Sequence, residues 1–217
     1  MILDLGFGLL LGVLVNFVFQ IKDWRVIALG VSSSLIVDVD AIIYYFLNGR
    51  KVDKYFYRHR DIFHHPFFVC LLASLILAFI NPIYGLTWFI GSAYHFLHDC
   101  FEGWGIRFWP ITNCYITFRN DSPKIIIADK QDQTDIVDVY GDANWARKKY
   151  GEFNWMFAFE MAVLMFGTMA AFSQFGDAEL GFSVAMYELV LWSFWLIYLH
   201  ITRLNKNLEK FKRDYSM

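Results

Sequence analysis

PFFVCLLASLILAFINPIYGLTWFIGSAYHFLHDCF, Pro66–Phe101, is two apolar runs divided by Asn81 and Pro82. An Asn-Pro pair between such runs marks a tight turn, so the stretch predicts two antiparallel helices. The first run, 66 to 80, is short for a membrane helix; the second, 83 to 101, is close to the roughly 20 residues that cross a hydrocarbon core. Outward from this pair the same character recurs at 3 to 21, 24 to 47, 153 to 175 and 182 to 202. The whole chain of 217 residues is 57% hydrophobic, 20% aromatic and only 18% charged, the profile of a membrane protein rather than a soluble domain. The expected fold is an all-α integral membrane protein with about six transmembrane helices and a small polar cytoplasmic segment between helices four and five. It divides into residues 1–103, 104–152 and 153–217: a four-helix region, the polar segment, and two helices with a basic tail. The first run carries Asp4 where a secretory signal carries basic residues, so it reads as a retained anchor.

Charge placement gives an orientation. Six spans put both termini on one side with the loops joining spans two to three and four to five. Those regions hold 17 of the 19 Lys and Arg residues; Lys22 and Arg25 alone fall opposite. By the positive-inside rule the protein is expected in the inner membrane, multi-pass, with both termini in the cytoplasm. From Arg107 to Glu152 seven acidic and seven basic residues balance, unlike a nucleic-acid face, so no nucleic-acid partner is expected. Within that segment KIIIA, 124–128, and DIVDVY, 135–140, are β-prone and are expected to pair as a hairpin. Cys70, Cys100 and Cys114 form no even framework and no C-x-x-C, which predicts reduced thiols in packing roles.

Three polar clusters interrupt the apolar pattern, all near the cytoplasmic ends of early spans. In HRDIFHHPFF, 59–68, Pro66 suits the first position of helix three and leaves His64 and His65 at its entrance. In YHFLHDCFEGWGIRFWP, 94–110, His95 and Asp99 are spaced i, i+4 on one helical face, with His98 bordering it. In SSSLIVDVDAIIYYF, 32–46, Asp38 and Asp40 lie inside span two. A carboxylate there costs about 2.5–3.5 kcal/mol on insertion scales and needs a partner. On a continuous helix residues i and i+2 point about 200° apart, so either one aspartate faces the cluster or the helix is locally unwound. Acids and imidazoles converging from separate helices predict one or two divalent metal ions, which offset the burial of the carboxylates. The candidate ligands are Asp38, Asp40, His59, His64, His95, His98 and Asp99. Glu160 and Glu188, in spans five and six, are joined by no chain of acids that would mark an ion path.

At these residues the chain resembles the YdjM-type inner-membrane-associated metal-dependent hydrolases. The resemblance runs from about residue 30 to 118 and rests on Asp38 and Asp40 in VDVD, on His59, Arg60 and His64, and on His95, Asp99, Gly105 and Pro110. Val37, His65, Tyr94 and Glu102 stand where that pattern has Pro, Ser, Ser and Thr. The family is distantly similar to zinc-dependent phospholipase C enzymes, which by analogy implies phosphoester chemistry. The expected function is therefore hydrolysis of a phosphoester, a lipid phosphate among the candidates, at the cytoplasmic headgroup region. The cofactor expected is Zn, with Mn or Mg as alternatives, and Arg60, His65 and Glu102 are the candidate catalytic residues. Arg60 would clamp phosphate, because a guanidinium binds two oxygens at once. The rival expectation is a non-enzymatic membrane subunit with a structural or regulatory metal, docking a protein partner through residues 119–150.

Overall fold

The computed structural model describes residues 2–39, 43, 46, 65–101, 106–107, 114–119, 122–127 and 155–215, without the side chains of 100–154 and 199–215. Among them are six helices and three short strands: α1 (Ile2–Val18), α2 (Trp24–Leu35, tightened to a 3-10 turn at Ile36–Asp38), α3 (Phe67–Ile80), α4 (Pro82–Phe101), β1 (Ile106–Arg107), β2 (Cys114–Arg119), β3 (Ser122–Ile127), α5 (Trp155–Gln174) and α6 (Ala178–Tyr215).

The helix ends follow from local chemistry. Val18 is followed by a left-handed Gln20 at φ 54°, and Ile21 N–H bonds the Asn16 carbonyl while Gln20 N–H bonds that of Phe17. That pattern is a Schellman cap with glutamine where glycine is usual. Asp23 then caps α2 by accepting from Arg25 N–H at 2.9 Å. Asn81 separates α3 from α4, its side chain accepting from Ile83 N–H, and Pro82 takes the first position of α4, where a missing N–H costs nothing. Gly176, at φ 88°, ends α5 in the same manner as Gln20 ends α1, and Asp177 caps α6.

Helix α1 lies between α2 and α5 at close range. A Cβ on Gly8 would stand 2.6 Å from the Gly30 carbonyl oxygen, and one on Gly6 would stand 2.7 Å from Leu164 N. Only hydrogen fits there, and the backbones gain dispersion contacts in return. Gly6 meets Leu164 and, ten residues on in each helix, Asn16 bonds Gln174 at 3.0 Å, so α1 and α5 run parallel. Tyr84, at the start of α4, donates to Asp23 at 2.6 Å, whereas His98, near its end, bonds Asp4 at the start of α1. Helix α4 therefore runs against α1, and one end of the bundle collects Asp4, the end of α2 and the end of α4. The other end is tied by Asn16, which donates to the Asp23 carbonyl and to Gln174.

Two expectations need correction. Only two helical segments among the described residues, Trp155–Gln174 and Ala178–Tyr198, are long and apolar enough to cross a membrane. Helices α1 and α2 have 17 and 12 residues. Helix α4 has 20 but carries His95, His98 and Asp99 in its last two turns. The chain is also not wholly helical: β1, β2 and β3 form an antiparallel sheet in that order. Residues 124–127 of the KIIIA run pair with Cys114–Thr117, in register Thr117 with Lys124, and residues 135–140, the partner expected for them, lie outside the described residues. CYITFR is the nearer β-prone run, and pairing Arg119 with Ser122 leaves a two-residue Asn120–Asp121 connection, a composition suited to hairpin turns.

Candidate metal centre

His95 is the centre of the site, and its ring is almost wholly buried, with 1% of the residue exposed. Helix α4 presents it to α2, where Nδ1–H donates to the Ser34 carbonyl at 2.8 Å. A carbonyl only accepts, so this bond places the proton on Nδ1 and leaves the Nε2 lone pair facing inward. A backbone partner on the second nitrogen is the usual way a metal-binding imidazole is oriented.

Around Nε2 stand two carboxylates. Asp38 Oδ1 is at 3.7 Å and Asp99 Oδ1 at 3.8 Å. Both distances exceed hydrogen-bond length, about 2.7–3.2 Å. They are near the spacing of two ligands bound to one ion at about 2.1 Å. Asp99 comes from the turn after His95 in the same helix, while Asp38 comes from the 3-10 turn that ends α2. That tightened turn separates neighbours cleanly: Val37 is fully buried against Val69, Cys70 and Phe96, and Asp38, the next residue, faces His95.

The third carboxylate was not expected. Asp4 of α1, 1% exposed, lies with Oδ1 3.6 Å from His95 Nδ1. One ligand atom from each of Asp4, Asp38 and His95 lies within 4.8 Å of the other two, a group able to hold a metal ion. His98 does something different from His95: its Nδ1–H donates to Asp4 Oδ1 at 2.9 Å, fixing that carboxylate from behind. Tyr94 stacks on the His98 ring at 6.0 Å and on Phe7 at 3.5 Å, so a row of rings ties α4 to α1 beside this pair. The signal for Asp4 was available: a carboxylate one turn into an apolar run is costly unless something charged meets it.

Three buried or half-buried carboxylates and an imidazole nitrogen meet here, a donor set that a divalent cation can take. Oxygen and imidazole nitrogen donors suit Zn, Mn or Mg and do not choose among them. His65 sits at the entrance of α3, where its carbonyl accepts from Phe68 and Val69 N–H, both at 3.1 Å, and its ring meets Phe68 edge-on. Asp40, His59, Arg60, His64 and Glu102 lie outside the described residues. Cys70 is a buried free thiol packed in the core.

The family model of YdjM inner membrane proteins matches residues 4–173, a range that takes in all of these side chains. The chain belongs to the YdjM inner membrane protein family. No curated protein and no solved structure matches it. The YdjM match begins at Asp4 and ends within α5, so α6 and the basic tail lie beyond it.

Proposed function

We propose that this YdjM-family protein is a membrane-embedded, metal-dependent hydrolase acting on a phosphoester, with a lipid phosphate as substrate at headgroup depth. The observation that carries the reading is the Asp4, Asp38 and His95 group, its ligand atoms within 4.8 Å of one another. When bound, a divalent ion supplies Lewis-acid polarisation of a phosphoryl oxygen. The chain's own residues do the rest. The Ser34 carbonyl keeps the His95 proton on Nδ1, His98 holds Asp4 in place, and Asp99 adds a carboxylate beside Nε2. Asp40, His59 and His64 are further ligands on this reading, Arg60 clamps the phosphate, and His65 and Glu102 are available for proton transfer.

In this proposal α5 and α6 cross the membrane, with the termini and the site at its cytoplasmic face. Support comes from the alternation of helix direction and from the 17-to-2 split of basic residues.

The test is metal quantification on protein purified in detergent, together with phosphate release from phosphatidate and isoprenoid phosphates. Wild type should retain metal and turn over, and His95→Ala should lose both. Equal turnover in the two would remove the catalytic reading. Metal retained without turnover would favour a structural or regulatory ion in a subunit that docks a partner through 119–150.

A further inference from the structure

Helix α3 does not begin as an α-helix. From Phe67 to Leu72 it is wound as a π-turn, and Ala73 N–H reaches back five residues, to the Phe68 carbonyl, instead of four. Such a turn holds one residue more than the α-helix it interrupts and is frequent at functional sites. Where five-residue bonds give way to four-residue bonds, one carbonyl is passed over, and a buried carbonyl needs a donor. Val69 is next in line after Phe68, and its carbonyl takes a side chain: Trp88 Nε1–H, from α4, donates to it at 2.8 Å. The Ser74 hydroxyl donates to the following carbonyl, that of Cys70.

This turn is also where α3 meets the metal centre. Val69, Cys70 and Phe96 close around Val37, which is fully buried. Val37 and Phe96 are the chain neighbours of Asp38 and His95, whose Oδ1 and Nε2 stand 3.7 Å apart. Asp38 ends the 3-10 turn that contains Val37, so the seat of Val37 directs its carboxylate. Rewinding the π-turn as an α-helix would rotate its residues by about 100° relative to the rest of α3 and unmake that seat. In the α form Ala73 N–H would take the Val69 carbonyl and displace Trp88. The indole bond therefore favours the π form specifically.

We propose that Trp88 is a positioning residue of the metal centre. Its indole N–H holds α3 in the π form and, through Val69, Cys70 and Val37, sets Asp38 at the distance from His95 that one ion spans. The proposal rests on the metal reading above and does not depend on hydrolysis.

The test titrates Co2+, a spectroscopic substitute for Zn2+, into the full chain in detergent. Wild type is compared with Trp88→Phe and with a protein carrying benzothienylalanine at position 88, which keeps the shape of the indole and has sulfur in place of N–H. Each is repeated with Asp38→Asn. Either change at 88 should weaken Co2+ binding about tenfold, the lower end of what losing an orienting group costs, and should alter the ion's visible absorption. With Asp38→Asn present the further loss should be less than twofold, because the group through which Trp88 acts is already gone. Losses of equal size in the two backgrounds, or Co2+ binding unchanged by benzothienylalanine, would overturn the proposal and leave the metal centre standing. A wild type that binds no Co2+ would remove the metal centre itself, and the role of Trp88 with it.

Discussion

His98 and Asp4, 94 residues apart, are joined by a 2.9 Å hydrogen bond in which imidazole Nδ1–H donates to the carboxylate. The bond leaves His98 acting through Asp4, where i, i+3 spacing alone would have placed it beside His95 as an equal. Replacing His98 with Phe keeps the stack on Tyr94 and deletes the donor. Metal affinity should fall by about 10–100-fold, the usual cost of losing a group that orients a ligand. Asp4→Ala should remove the metal outright. Competition with a chelator, followed by elemental analysis, separates the two; unchanged affinity in both variants would exclude Asp4 from the site.

Gly8 faces Gly30 across the α1–α2 contact, and an added Cβ would lie 2.6 Å from the Gly30 carbonyl oxygen and 2.7 Å from Val31 Cα. Both are backbone atoms that no rotamer change can move. Gly8→Ala should therefore destabilise the protein by about 1–3 kcal/mol, as overpacking does. Because Asp4 is one turn away on α1, bound metal should fall as well. Denaturation in micelles reads the first effect, and a wild-type curve would show that the helices can separate freely.

At the opposite end of the bundle, the Tyr84 hydroxyl donates to Asp23 and holds its carboxyl below the usual range, with Arg25 assisting through its N–H and its charge. A carboxyl depressed on folding contributes stability that is complete above its unfolded value, about 3.9, and is lost as pH falls through the lower folded value. Tyr84→Phe should thus be less stable than wild type at neutral pH, and the gap should narrow once the pH drops below about 4. A gap that stays constant down to strongly acidic pH would mean that the hydroxyl contributes through packing alone.

Gln20 occupies a left-handed position at φ 54° that an L side chain reaches only at a cost of about 1–2 kcal/mol. Gln20→Gly should raise thermal stability by up to about 1 kcal/mol, since glycine gives some of that gain back as unfolded-state entropy. Gly176→Ala, at φ 88° in the matching cap of α5, should lower it. The paired shifts, opposite in sign, are measurable by melting in detergent.

Much of the framework was legible because it is local. Apolar runs, Asn81–Pro82, and the i, i+4 spacing of His95 and Asp99 act over a few residues, and each helix formed where its run lies. The extension of α6 to Tyr215 was less visible, because its last turns are polar and show no apolar face of the length that marks a span. Lys124–Ile127 pairs with Cys114–Thr117, a β-prone run that the composition of the segment does not single out and that a short connection brings alongside it.

What the chain's order of residues determined alone was which segments are helical and that two or more acids and imidazoles must find company in them. Which groups meet was decided by tertiary packing. Glycine contacts bring α1 against α2 and α5, and helix direction sets Asp4 at the level of His95 and His98. No spacing rule connects residue 4 to residue 98. Only the crossing of separate helices does, because carboxylates and imidazoles interact over a few ångströms of space and not along the chain.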